Sequence, residues 1–145
     1  MKVKNYTSSV RCEQSIAEIE ALLARAGATN ISKSYRDGEA SGIMFQVLHP
    51  QPLIFKLPAK VETVEKLFLA SVKRTPTAAS KRRIHEQAKR TAWRLIRDWV
   101  DVQMSMVALE QAEVAQVFLP YVWNAATDET FFDRLKGGGF KQLGS

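Results

Sequence analysis

From about Lys81 to at least Leu109, apolar residues return at helical spacing, so any fold for this chain must accommodate one long helix. At roughly 100° per residue, Ile84, Ala88, Ala92, Leu95, Trp99, Val102, Met106 and Leu109 fall within about a 100° arc. Arg83, Arg90, Arg94 and Arg97 fall on the opposite side. Ser80 is the expected N-cap, and Pro120 stops or kinks the helix if it runs as far as Leu119.

The segments before this helix set the fold class. Ile16, Ile19, Leu22, Leu23 and Ala26 give a first helix that ends where Gly27 supplies a left-handed residue. Three strand-like runs follow at 30–36, 42–48 and 53–57, separated by Asp37-Gly38 and by the sequence His49-Pro50-Gln51-Pro52. They predict an antiparallel three-stranded meander. Ile31, Tyr35, Ile43, Phe45, Val47, Leu53, Phe55 and Leu57 alternate to one side, and Ser32, Ser34, Arg36, Gln46 and Lys56 to the other. One face is therefore buried, most simply under the first helix. Residues 3–7 could add a short edge strand. Val61, Val64, Leu67, Phe68 and Val72 predict a second helix after Pro58. The expected class is α+β, with the meander packed on helices and followed by a long basic amphipathic helix. With 145 residues, 46% of them hydrophobic, one domain over 1–136 is expected, divided into a helix-plus-meander part (1–59) and a helical part (60–121). The Gly-rich segment 137–145 reads as a flexible tail.

Charge is unevenly placed. Between Lys73 and Arg97 nine cations face Glu86 alone, a local +8 in a chain whose total is +6, so the remainder is slightly acidic at −2. Such a one-sided block creates a positive potential that attracts phosphates or acidic surfaces. The arginine stripe from 83 to 97 is about 21 Å long at 1.5 Å per residue, enough to follow several phosphates. Its candidate contact residues are Arg83, Arg90, Arg94 and Arg97, with Arg82 and Lys89 flanking. Trp93 beside them could stack on a base or cover a guanidinium. The competing reading is a solvated helix face, because arginine stems commonly cover apolar surface without binding a partner. The near absence of acids at i,i+4 to the arginines argues against that reading, and Trp93 is as readily a core residue as a contact residue.

No catalytic constellation is found. The triplet Ile54-Phe55-Lys56 lacks the carboxylate that a restriction-type metal site needs beside Asp37 and Lys56. Asp98 with Asp101, and Glu110 with Glu113, have the spacing of surface helical acids without a matching histidine. His49 and His85 have no nucleophile partner, and Gly137-Gly138-Gly139 lacks the setting of a phosphate loop. A lone cysteine, Cys12, and two histidines exclude an internal disulfide and imply no metal; no cofactor is expected. The sheet's polar face carries no aromatic residue, which argues against a base-stacking platform there. No apolar stretch suits a signal peptide or a membrane span, so a cytoplasmic protein is expected.

A resemblance covers most of the chain, to about Tyr121. It is carried by Ser15-Ile16-Ala17-Glu18-Ile19-Glu20 with Leu22-Leu23 and Gly27-Ala28, by Phe55-Lys56-Leu57-Pro58-Ala59, and by Phe118-Leu119-Pro120-Tyr121. Its most specific part is Ala92-Trp93-Arg94-Leu95-Ile96-Arg97-Asp98-Trp99-Val100, preceded by Arg90-Thr91 and followed by Gln103-Met104. In these segments the chain resembles a family of small uncharacterised proteins of tailed phages and prophages. The family has no settled activity, so no residue role carries over. What the resemblance implies is a setting inside a bacterial host. There it implies either a nucleic-acid-binding accessory protein, with DNA favoured over RNA, or a non-enzymatic inhibitor docked on a host defence protein or nucleoprotein complex. Pairing of the long helix with a second copy of itself stays open.

Overall fold

The computed structural model describes residues 2–144. Its fold is α+β, a three-stranded antiparallel sheet with helices before and after it. The chain falls into two compact units, each discontinuous in sequence. The first takes the residues up to Leu22 and then Ala59–Val102; the second takes Leu23–Pro58 and the chain from Gln103 onward.

The first unit contains most of α1 (Cys12–Arg25), all of α2 (Val61–Ala70) and most of α3 (Ala78–Ala108). Ile16, Ile19 and Leu22 are buried on one side of α1, as the periodicity predicted. The expected start of α3 moves. Thr77, not Ser80, caps it: the Thr77 hydroxyl oxygen accepts from the Ser80 backbone N–H at 3.1 Å, and the Thr77 carbonyl accepts from Lys81 N–H at 2.9 Å. Pro76 just before the cap adds to the stop signal on its N-terminal side.

The buried side of α3 also differs from the predicted arc. Ala88, Ala92, Val100 and Met104 are buried, whereas Val102, Met106 and Leu109 are exposed. The buried residues lie on an i,i+4 ridge, and such a ridge is inclined to the helix axis by about 26°. The contact surface therefore turns away from a strip drawn parallel to the axis. α3 ends at Ala108, well before Pro120, and Glu110 at φ 59° turns the chain out of the helix.

The N-terminal segment is not the edge strand anticipated for residues 3–7. It forms consecutive turns, with Tyr6 N–H donating to the Val3 carbonyl at 3.1 Å and Ser8 N–H to the Asn5 carbonyl at 3.0 Å. Asn5 sits at φ 66°, a conformation asparagine tolerates better than most residues.

In the second unit β1 (Thr29–Arg36), β2 (Glu39–Val47) and β3 (Leu53–Pro58) form the meander in the order β1-β2-β3. Asp37 and Gly38 both have positive φ, as a two-residue turn between right-twisted strands requires, and Arg36 pairs with Glu39 across it. Ile43, Phe45, Val47, Phe55 and Leu57 are buried as expected, but Tyr35 is 61% exposed. The register slips between Ser34, which pairs with Gly42, and Tyr35, which pairs with Ala40. That irregularity breaks the alternation from which an inward Tyr35 follows. Phe45 and Phe55 stack at 5.0 Å, and Phe118 meets them edge-on at 5.5 and 6.0 Å.

After α4 (Val114–Val117) and a 3₁₀ turn (Leu119–Tyr121), Val122 bridges to Phe55, and a small hairpin pairs β4 (Trp123–Asn124) with β5 (Glu129–Thr130). Thr130 and Asp133 form a capping box for α5 (Phe131–Gly137). The glycines read as the start of a tail end this helix. Gly139, at φ 67°, donates to Lys136 O, Phe140 N–H donates to Leu135 O at 2.8 Å, and the Phe140 ring lies 5.9 Å from Phe132. No helix among the described residues is long and apolar enough to cross a membrane.

Candidate phosphate-binding cleft

The first unit holds an open cleft of about 1470 Å³ between the end of α2, the connection 71–77 and the first four turns of α3. Its cations are Lys73, Arg74, Arg82, Arg83 and Arg90, opposed by the single carboxylate of Glu86. Its apolar lining includes Tyr6, Phe68, Val72, Pro76 and Ile84. Local sequence builds this arrangement. α2 stops at Ala70 and Thr77 caps α3 directly after Pro76, so Lys73 and Arg74, in the connection between them, line the cleft together with Arg82, Arg83 and Arg90 of α3.

None of the five cations forms an ion pair with a carboxylate among the described residues. Arg83 Nη2 donates to the Ser80 hydroxyl at 3.1 Å. Arg90 donates through Nε to the Ser8 carbonyl at 3.1 Å and through Nη2 to the Gln87 side-chain oxygen. Neutral acceptors orient these two guanidiniums and leave their charge uncompensated.

The rest of the predicted stripe is placed differently. Arg94 Nη1 donates to Glu18 at 2.9 Å and Arg97 Nε to the same carboxylate at 3.1 Å. Arg97 also reaches Asp101 at 3.0 Å and Asp98 at 3.4 Å. Lys4 and Asn5 complete the cluster by donating to Asp98 at 3.3 and 2.9 Å. The Arg94 hydrogen bond, opposed by partial burial and reinforced by the charges of Arg94 and Arg97, holds the Glu18 carboxyl below its ordinary pKa. Burial pushes the Asp98 carboxyl up, but hydrogen bonds from Asn5 and Lys4, the Lys4 charge and Arg97 outweigh it, so its pKa is lowered as well. Arg94 and Arg97 are thus internal members of an ion-pair cluster. Lys89 lies 3.4 Å from Glu86.

Trp93 is 1% exposed and belongs to the core, so the expectation that it stacks on a ligand is corrected. Large aromatic rings gain most by full burial, and the position of Trp93 on α3 falls near that of Val100 on the buried ridge. The candidate residues that the cleft brings together are Arg82, Arg83 and Arg90. Lys73 and Arg74 were visible only as part of the charge excess, and Tyr6 carried no sequence signal because it lies in an unpatterned N-terminal stretch.

Compared with known proteins, the chain matches no family model, no curated protein and no solved structure.

Proposed function

We propose that this protein binds the phosphate backbone of nucleic acid through the basic cleft, without reading sequence. The observation that carries the reading is the separation of charges on α3. The arginines of its middle are neutralised by Glu18, Asp98 and Asp101, while five cations in the preceding connection and its first turns line one cleft with no ion-pair partner among the described residues. Uncompensated cations close together repel one another, and a polyanion relieves that repulsion while releasing its own counterions. A solvated helix face does not account for this placement, since the same helix elsewhere pairs its arginines. The resemblance to small phage and prophage proteins supplies the setting, an accessory nucleic-acid-binding protein in the bacterial cytoplasm.

The test is fluorescence anisotropy of a labelled oligonucleotide across about 50 to 200 mM salt. If all five cations contact phosphates, log affinity falls against log salt with a slope of about −3.5 for a single strand or −4.5 for a duplex. The single-strand slope corresponds to a loss on the order of 100-fold over that range. Arg82→Ala/Arg83→Ala flattens the slope by about 1.4 to 1.8. Binding that ignores salt, or an unchanged slope in the double variant, rejects the proposal. Absence of binding leaves an acidic protein surface, such as that of a host defence complex, as the partner to seek.

A further inference from the structure

The cleft is not lined by cations alone, and hydrogen bonds hold the segment that carries one of its aromatic residues. The segment from Lys4 to Ser8 has no regular secondary structure, yet it is tied to one face of α3 by a series of hydrogen bonds. The Asn5 amide donates to Asp98 at 2.9 Å, and the Thr91 hydroxyl donates to the Asn5 carbonyl at 2.8 Å. The Gln87 amide donates to the carbonyls of Tyr6 and Ser8 at 3.1 and 3.0 Å, and Arg90 adds its bond to Ser8. Three of these groups, Gln87, Thr91 and Arg90, recognise backbone carbonyls. They therefore fix the path of the arm whatever its side chains are.

What the arm delivers to the cleft is Tyr6, 38% exposed, among arginines whose charge is uncompensated. Phe68, half-buried, adds a second aromatic lining, with Val72, Pro76 and Ile84 between the basic groups. Phosphates make no use of apolar surface, so a backbone-only ligand leaves this lining idle. A duplex keeps its base faces inside the stack. An unpaired base presents its flat face, and basic residues interleaved with an exposed aromatic ring are the combination that suits a single strand.

Resting on the phosphate-binding reading above, we infer that the ligand of the cleft is a single-stranded polynucleotide, one of whose bases stacks on Tyr6. Gln87 and Thr91 act as positioning residues for that ring by holding the backbone of the arm. Arg90 has two tasks: it holds the Ser8 carbonyl through Nε and presents the remainder of its guanidinium to the cleft. Stacking on a tyrosine face is tolerant of base identity, so the preference is for single-strandedness and not for sequence.

The experiment compares four labelled ligands of equal length on the full chain: a thymidylate strand, a uridylate strand, an abasic deoxyribose-phosphate strand and a duplex. The proteins are wild type, Tyr6→Ala and Tyr6→Phe, each with a urea unfolding curve as a control on folding. A thymidylate or uridylate strand binding about tenfold more tightly than the abasic strand supports the stack. Tyr6→Ala lowers the base-bearing strand to the abasic level without changing the salt slope, and Tyr6→Phe keeps the gain. Equal, steeply salt-dependent binding of abasic and base-bearing strands overturns the stack and leaves the phosphate reading standing. A duplex bound as tightly as a single strand overturns the single-strand preference. No binding of any of the four removes both proposals. If Tyr6→Ala fails to fold, the abasic comparison on the wild type still decides.

Discussion

Replacing Glu18 by Gln isolates the part of the charge pattern that the structure assigns to stability. Glu18 accepts from Arg94 at 2.9 Å and from Arg97 at 3.1 Å, and its side chain is 30% exposed beside arginines that are 19% and 23% exposed. A hydrogen bond to a charged group is worth about 1.5–3 kcal/mol when well buried, and a fully solvated pair about 0–1 kcal/mol. These pairs lie between the two limits. The arginines also keep Asp98 and Asp101, and Gln retains one acceptor oxygen, so the expected loss is about 1.5 kcal/mol. For a urea m-value of about 2 kcal/mol/M, the unfolding midpoint drops by roughly 0.75 M with m unchanged. The pH dependence has a defined sign. Because the folded state lowers the Glu18 pKa, its contribution is complete above the unfolded value of about 4.3 and is lost as pH falls through the lower folded value. The gap between wild type and Glu18→Gln is therefore full at neutral pH and closes on acidification below about pH 4. A midpoint shift smaller than roughly 0.15 M at pH 7 would refute the reasoning, because the Glu18 pairs would then contribute no more than a fully solvated ion pair.

Two further outcomes separate binding from architecture. Arg94→Ala/Arg97→Ala, which leaves Glu18, Asp98 and Asp101 without their guanidiniums, lowers stability by about 2 kcal/mol in urea unfolding yet leaves the salt slope of nucleic-acid binding unchanged. A flattened slope in that variant would return both residues to the binding surface. Phe118→Ala removes a fully buried ring that contacts both Phe45 and Phe55, and thermal unfolding should show a loss of about 3–5 kcal/mol. A loss under about 1 kcal/mol would mean that the three-ring cluster does not hold the second unit together.

The particular elements show where local pattern suffices. Alternation over β2 and β3, the Asp37-Gly38 turn and the 3.6-residue period of α1 depend on residues within a few positions of one another, and each is legible in the sequence. Even so, a slipped register beside Ser34 was enough to turn Tyr35 outward, because a pleated strand reverses every side chain when its count changes by one. The i,i+4 ridge of α3 behaved similarly. Periodicity located a face, but the inclination of the packed row decided that Val100 and Met104 are buried while Val102 and Leu109 are not.

The sequence by itself determined that a strong positive charge is concentrated around the start of one long helix. It could not determine which of those charges remain uncompensated, because the partner of Arg94 is Glu18, 76 residues away, and the acceptor for Arg90 is the Ser8 carbonyl, 82 residues away. Composition counts charges, but pairing depends on distances of a few ångströms that only the folded chain creates. The tertiary structure thus divided one arginine stripe into a neutralised half that holds helices together and an uncompensated half that, with Lys73, Arg74 and Tyr6, forms a cleft. Coulomb attraction falls off with separation and is screened by water and salt, so the fold, by setting those separations, decides which cations are left for a ligand.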